Sequence, residues 1–196
     1  RAGEGEARNA AILSVDIRGF TGLSNRLEPS ALIKLLTDYE ARMVQVIETN
    51  GGSVDKFLGD GILASFGAAV TNDSYAADAV RAADGAIAAA DTWAAERQAA
   101  GEEPIRIGVA VASGRIIFGA VGAESRLEYT CIGDPVNLSA KLEKHNSASG
   151  TRALVDAETY ALALQQGYTP LLTHDRQNAA QVAGVDAPLD VVVLSR

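Results

Sequence analysis

The sequence predicts an α+β domain of ferredoxin-like plan: a βαββαβ core with C-terminal additions, its antiparallel-rich sheet carrying packed helices. Three observations predict it. Short apolar runs bounded by glycine-containing turns occur at residues 10–16, 53–57 and 61–66. Two long segments of helical character, 29–49 and 73–100, lie between them and after them. The resulting order of strand, helix, strand pair and helix is that of the split βαβ arrangement, and it continues into further strand-like runs.

The elements follow in turn. Residues 10–16 (AAILSVD) are apolar and end at a glycine-containing turn, as a buried central strand does. Pro29 suits a first helical turn, and Leu32, Leu35, Leu36, Tyr39, Met43, Val46 and Ile47 recur at helical spacing until Asn50-Gly51-Gly52 ends the helix. Residues 53–57 and 61–66, joined through Leu58-Gly59-Asp60, make a hairpin with Asp60 at its tip or just beyond it. The alanine-rich stretch 73–100, with Val80, Ile87 and Trp93, is a strong helix former. Residues 105–113 and 115–121 read as a second hairpin turning at Ser113-Gly114. A helix over about 136–144 takes Asp134 as N-cap and Pro135 as its first residue. Residues 153–155, 156–164, 168–172 and 189–194 suggest strand, helix, strand and strand, with 174–188 a loop. The helices are expected on one face of the sheet.

A length of 196 residues suits one domain, and a composition 47% hydrophobic and 21% charged can bury a core. The polar residues 1–9 read as linker, leaving 10–196 as the domain. A net charge of −8 argues against a nucleic-acid partner or an anionic membrane surface, but not against a local basic pocket. Cys131 is the single cysteine, so no intrachain disulfide can form, which fits a reducing cytoplasmic location. No apolar run reaches transmembrane length.

Two aspartates carry the chemistry. Asp16 ends the first apolar run in SVDIRGFT, and Asp60 sits in DKFLGDGILASFG. In this fold the first strand pairs with the following hairpin, so both carboxylates can approach and hold divalent cations. Gly19 permits a tight turn after Asp16, from which the amides of Phe20 and Thr21 would open toward phosphate oxygens. Either Asp alone reads as an ordinary turn residue. Together they suggest metal-assisted chemistry on a nucleoside triphosphate.

With the third segment, LEYTCIGDPVNLSAKLE, the chain resembles the class III nucleotidyl cyclase catalytic domain over about residues 10–195. Gly51-Gly52 is a superficial likeness to diguanylate cyclases, but the continuation Ser53-Val54-Asp55-Lys56 fits them poorly. The resemblance implies conversion of ATP to 3′,5′-cyclic AMP and pyrophosphate with two Mg²⁺ or Mn²⁺ per active site. Asp16, Asp60 and the Ile17 carbonyl would hold the metals. It assigns Lys56, in K-x-x-G-D, and Thr130, after Tyr129 of Y-x-x-x-G, to the adenine edge: Lys donates to a ring nitrogen and Thr accepts from the 6-amino group. Guanylyl cyclases typically carry Glu and Cys there, and Cys131 is one residue off. Asn137 would orient the ribose. Lys141 stands where the family has Arg, keeping the charge but losing the planar fork. Arg126 is a further basic candidate, while His145 and His174 have no partners at metal-ligand spacing. The family places the metal aspartates and the base-reading residues of one site on different protomers. This chain carries both sets, as a homodimer with two interfacial sites requires. An upstream sensor or membrane region is the expected fusion partner. A guanylyl cyclase and a catalytically weak regulatory or dimerisation domain are the alternatives.

Overall fold

A computed structural model describes residues 3–196. Strand β1 (Gly5–Ile17) lies between β3 (Gly61–Phe66) and β4 (Ile107–Ala123), antiparallel to both. Strand β2 (Ser53–Leu58) flanks β3, which makes the order β2-β3-β1-β4. Short α1 (Phe20–Arg26) and α2 (Pro29–Thr49) connect β1 to β2, and α3 (Tyr75–Ala99) connects β3 to β4. This is the expected βαββαβ core. The C-terminal additions extend the sheet past β4 with β6 (Ala153–Asp156), parallel to β4, then β8 (Leu189–Ser195) and β7 (Asp175–Ala180). Strand β5 (Arg126–Ile132) pairs with the far half of β4 and leads into α4 (Asp134–Ser149), while α5 (Ala157–Gln165) follows β6.

Strand alternation sorts the core into two layers. Ala11, Leu13, Val15 and Ile17 face α2 and α3, where Leu35, Tyr39, Met43 and Ile47 meet an alanine stripe of α3. Small side chains let α3 lie close to the sheet, and Trp93 fills the space beyond them, stacked on Tyr39 at 6.4 Å. Truncating so large a buried ring costs about 3–5 kcal/mol. Ala10 and Ile12 face the other way, onto Cys131 of β5 and Val136 of α4. Ser14 meets Ser139 of α4 at 2.8 Å on that same side. The sheet is therefore covered on both faces, not on one. The position of α4 opposite α2 and α3 is what brings Asp16, also on an even register, toward α4.

Several sequence expectations change. Residues 5–9 are not linker: they form the start of β1 and pair with residues 115–119 of β4. There is no turn at Ser113-Gly114: the β1–β4 ladder runs through Ala10↔Gly114 unbroken. Gly114 instead marks a close approach, since a Cβ there would lie 3.1 Å from Pro135 Cγ. The hairpin turn falls between Ala123 and Arg126, so LEYTCI is a strand. Helix α4 has Gly133 as N-cap, begins at Asp134 and runs on to Ser149. Residues 168–172 form no strand; Tyr168 is buried and donates its hydroxyl to Asp84 at 2.6 Å. Part of the expected loop 174–188 is β7, whose exposed polar residues hid an edge strand.

Candidate active site

The first half of the site is at the end of β1. Gly19 adopts the left-handed conformation (φ 66°) that turns the chain into α1, so Phe20 and Thr21 are the first helical residues. Their N–H groups belong to the first turn, which has no intrahelical acceptor. Gly59 (φ 64°) makes the tip of the β2–β3 hairpin, and Asp60 follows it. Asp60 Oδ2 accepts the Ile17 N–H at 3.0 Å, which fastens the tip to the strand end. Asp16, Ile17 and Asp60 are thus brought together as expected. Burial holds the Asp16 carboxyl above its ordinary range, and the neighbouring Asp60 charge adds to this. Two mutually repelling carboxylates suit a hard divalent cation. Among the described residues no three His, Cys, Asp or Glu side chains form a ready cage. A cation here would rest on Asp16, Asp60 and backbone oxygen, with further positions for water and phosphate, as Mg²⁺ favours.

Glu143 is a neighbour the sequence did not single out. It is buried on α4, shares a hydrogen bond with Asp16, and has its acidity suppressed by burial first and by Asp16 second. The Arg18 guanidinium closes the cluster, donating to Ser147 Oγ and, at 2.7 Å, to the Thr151 carbonyl. Gly108 is the β4 partner of Asp16. A side chain there would collide with the Glu143 carboxyl and come within 2.8 Å of Arg18 Nε, so glycine makes the room these groups occupy.

The second half is built by β2 and β5. Lys56 Nζ donates to Thr130 Oγ1 at 3.0 Å, so these residues, 74 apart in sequence, meet as a pair. Thr130 in turn donates to Asp55 Oδ2 at 2.9 Å. Cys131 is buried, and burial pushes its thiol up to about 11, as befits an inert packing residue.

Asn137 and Lys141 stand one turn apart on α4. Asn137 is exposed. Lys141 is half-buried and its Nζ donates to the Gly184 carbonyl at 2.6 Å. Gly184 itself has φ 82°, and a Cβ there would lie 3.1 Å from Lys141 Cε. Arg126 is exposed at the start of β5. His174 packs on Tyr160 and Tyr168, a bystander to the site.

Sequence reasoning missed Asp55, Glu143 and Gly108. Asp55 could have been found as the acidic neighbour of Lys56, but only a break in strand alternation puts both side chains on one side. Glu143 had no local signal: on a helix it reads as a solvated residue.

Comparison with known proteins locates this arrangement. The family model for the adenylate and guanylate cyclase catalytic domain matches residues 4–192. An adenylate cyclase of Anabaena cylindrica is 34% identical over 153 residues, 78% of this chain and 30% of that protein. The crystal structure of the adenylyl cyclase CyaB from P. aeruginosa superposes with a TM-score of 0.84 at 30% identity, covering 98% of this chain and 97% of that one. The guanylyl cyclase Cya2 superposes with a TM-score of 0.83 at 29% identity, covering 96% and 92%. The chain spans 30% or less of the length of the first curated relatives it matches.

Proposed function

The chain belongs to the adenylate and guanylate cyclase catalytic domain family, and within it we propose an adenylyl cyclase that makes 3′,5′-cyclic AMP and pyrophosphate from ATP at a homodimer interface. The observation that carries the choice of base is the Lys56–Thr130 hydrogen bond. It sets an ammonium donor beside a hydroxyl acceptor, the complement of the adenine ring nitrogen and 6-amino group. Guanine in the same pose would present a protonated ring nitrogen to Lys56 and a carbonyl oxygen to the Thr130 lone pair, a mismatch at both contacts. Overall similarity does not decide it, since both an adenylyl and a guanylyl cyclase resemble the chain closely.

In the reaction the ribose 3′-oxygen attacks the α-phosphorus in line. The new O3′–P bond forms as the bond to pyrophosphate breaks, and the hydroxyl proton is released to water. Asp16, Asp60 and the Ile17 carbonyl would hold two Mg²⁺ or Mn²⁺, which supply activation of the hydroxyl and neutralisation of the triphosphate. The Phe20 and Thr21 amides hydrogen-bond phosphate oxygens, and Gly19 sets the turn that points them. Asn137 orients the ribose, and Lys141 offers positive charge to the α-phosphate as charge builds there.

The homodimer reading is favoured by the surface around the Lys56–Thr130 pair. Phe57, Leu58, Val121, Leu127, Tyr129 and Ile132 are all exposed large apolar residues, Leu58 and Tyr129 at 64% and 63%. An apolar rim of this kind on β2 and the β4–β5 hairpin suits cover by a second copy of the chain. The domain is read as starting with β1 at residue 5 and running to 196, in a cytoplasmic setting, and attached to a sensor or membrane region.

Incubating the purified chain with ATP or GTP plus Mn²⁺ and identifying the products tests this. Cyclic AMP from ATP at several times the efficiency of cyclic GMP from GTP is expected. Preference for GTP would overturn the base assignment, and no cyclic nucleotide from either would favour a regulatory domain.

A further inference from the structure

Resting on the reading of Lys56 and Thr130 as the base-recognition pair, we propose that Asp55 is a specificity-determining positioning residue: it takes the Thr130 hydroxyl hydrogen and leaves Thr130 able only to accept.

A threonine hydroxyl is not by nature an acceptor. It carries one hydrogen and two lone pairs and rotates to suit its partner. Facing adenine it would accept from the 6-amino group, and facing guanine it would swing its hydrogen to the 6-oxygen. Thr130 alone would therefore discriminate poorly. The structure removes that freedom. The Thr130 hydrogen is directed at Asp55 Oδ2, 2.9 Å away. One lone pair receives the Lys56 ammonium at 3.0 Å. What remains for a ligand is one lone pair, which adenine can use and guanine cannot. Lys56 meanwhile gives Thr130 a single hydrogen and keeps others for the ring nitrogen.

The backbone is shaped to allow this. Neighbours in a regular strand point to opposite faces, so Asp55 and Lys56 could not both reach Thr130. In β2, Val54 pairs with Ala64 and Lys56 with Leu63, so β2 advances two residues while β3 advances one. Asp55 is the extra residue of a β-bulge, a device that re-aims side chains beside functional sites. Its side chain is only 3% exposed, against 37% for Lys56, whose Nζ stands 3.7 Å from it. A carboxylate so buried is costly unless its hydrogen bonds are made, and Thr130 supplies one.

The test is a set of kcat/KM ratios for ATP over GTP, measured on the full chain. The parent should prefer ATP. Asp55→Ala should lower the ratio about tenfold, the factor carried by one ordinary hydrogen bond. Asp55→Asn, whose amide oxygen still accepts from Thr130, should keep most of it. If the alanine variant does not fold, Asp55→Ser, which can donate as well as accept, serves in its place. In a Thr130→Val background, Asp55→Ala should leave the ratio unchanged, because no hydroxyl remains to be oriented. A purely structural role predicts equal losses on both nucleotides, and that result overturns the proposal. So does a shift of the ratio that persists in the valine background. If the parent prefers GTP, the base reading fails and this inference falls with it. If the parent prefers ATP but the Asp55 variants leave the ratio untouched, only the role of Asp55 is lost.

Discussion

Asp16 of β1 and Glu143 of α4 are hydrogen-bonded carboxyl to carboxyl, directly over Gly108 of the adjoining strand. One proton must lie between them, because two carboxylates in contact repel. The pair joins the strand that carries the proposed metal ligand to the helix that carries Asn137 and Lys141. Arg18, Asp60 and Lys144 also act on it.

The shared proton predicts a pH dependence of stability. Burial, reinforced by Asp16, pushes Glu143 from 4.5 up to about 9. The folded, metal-free chain therefore keeps a proton that the unfolded chain releases above about 4.5. The stabilisation is complete below that pH and is lost progressively as pH rises toward 9. Asp16 is shifted in the same direction. Melting curves in EDTA between pH 5 and 9 should show a declining Tm. Glu143→Gln, which keeps a donor toward Asp16 without a proton to lose, should flatten that decline and raise Tm at pH 8 by a few degrees. An identical slope in parent and variant would mean that the proton is not held at this pair.

The metal assignment is tested apart from folding. Asp16→Ala should hold activity below about a hundredth of the parent's and weaken Mn²⁺ binding measured by titration, with the fold retained. Asp60 also accepts the Ile17 N–H, so Asp60→Asn is the cleaner variant there. Its amide oxygen preserves the anchor while the charge is removed. Near-normal turnover by either variant at saturating Mn²⁺ would defeat the two-metal reading.

What the sequence made legible and what it concealed have a common physical basis. Asp16 and Asp60 lie in short segments with their own glycine turns, so local pattern points to them, whereas Lys56 and Thr130 stand out only through the family resemblance. Glycine also misled. Ser113-Gly114 looks like a turn, but Gly114 is small because Pro135 packs against it from a helix 20 residues on. Glu143 and Asp55 gain their meaning from partners across the fold, Asp16 at 127 and Thr130 at 75 residues' separation. No spacing rule along one strand or helix encodes either contact. Strand β7 was hidden for another reason: an exposed edge strand has no apolar alternation to show.

Lys141 departs from the arginine of the family, and its ammonium is tied to the Gly184 carbonyl. Lys141→Ala should lower kcat more than it raises KM, since charge on the α-phosphate builds mainly in the transition state. Lys141→Arg should retain or raise activity, because a guanidinium can bond Gly184 and still present donors to phosphate. An alanine variant matching the parent would assign Lys141 to holding the 182–185 turn alone.

The shared site has the most discriminating consequence. If each site takes Asp16 from one protomer and Asn137 from the other, Asp16→Ala and Asn137→Ala are each nearly inactive as homodimers, since both of their sites are damaged. A heterodimer of the two variants is different. One of its sites collects both lesions and the other collects neither. Mixing the inactive proteins should therefore restore activity, up to about half of the parent's per heterodimer when sites act independently. The restored rate should rise with protein concentration as dimers form, and so should the parent's specific activity. Covering the apolar rim should matter as much as the chemistry. Tyr129→Lys, at an exposed position of β5 where the ring stacks on Phe118, should shift the concentration dependence toward higher protein and reduce recovery on mixing. Subunit exchange shown directly, by labelled chains co-purifying, with no return of activity would separate Asp16 and Asn137 from opposite halves of one site and remove the interfacial reading.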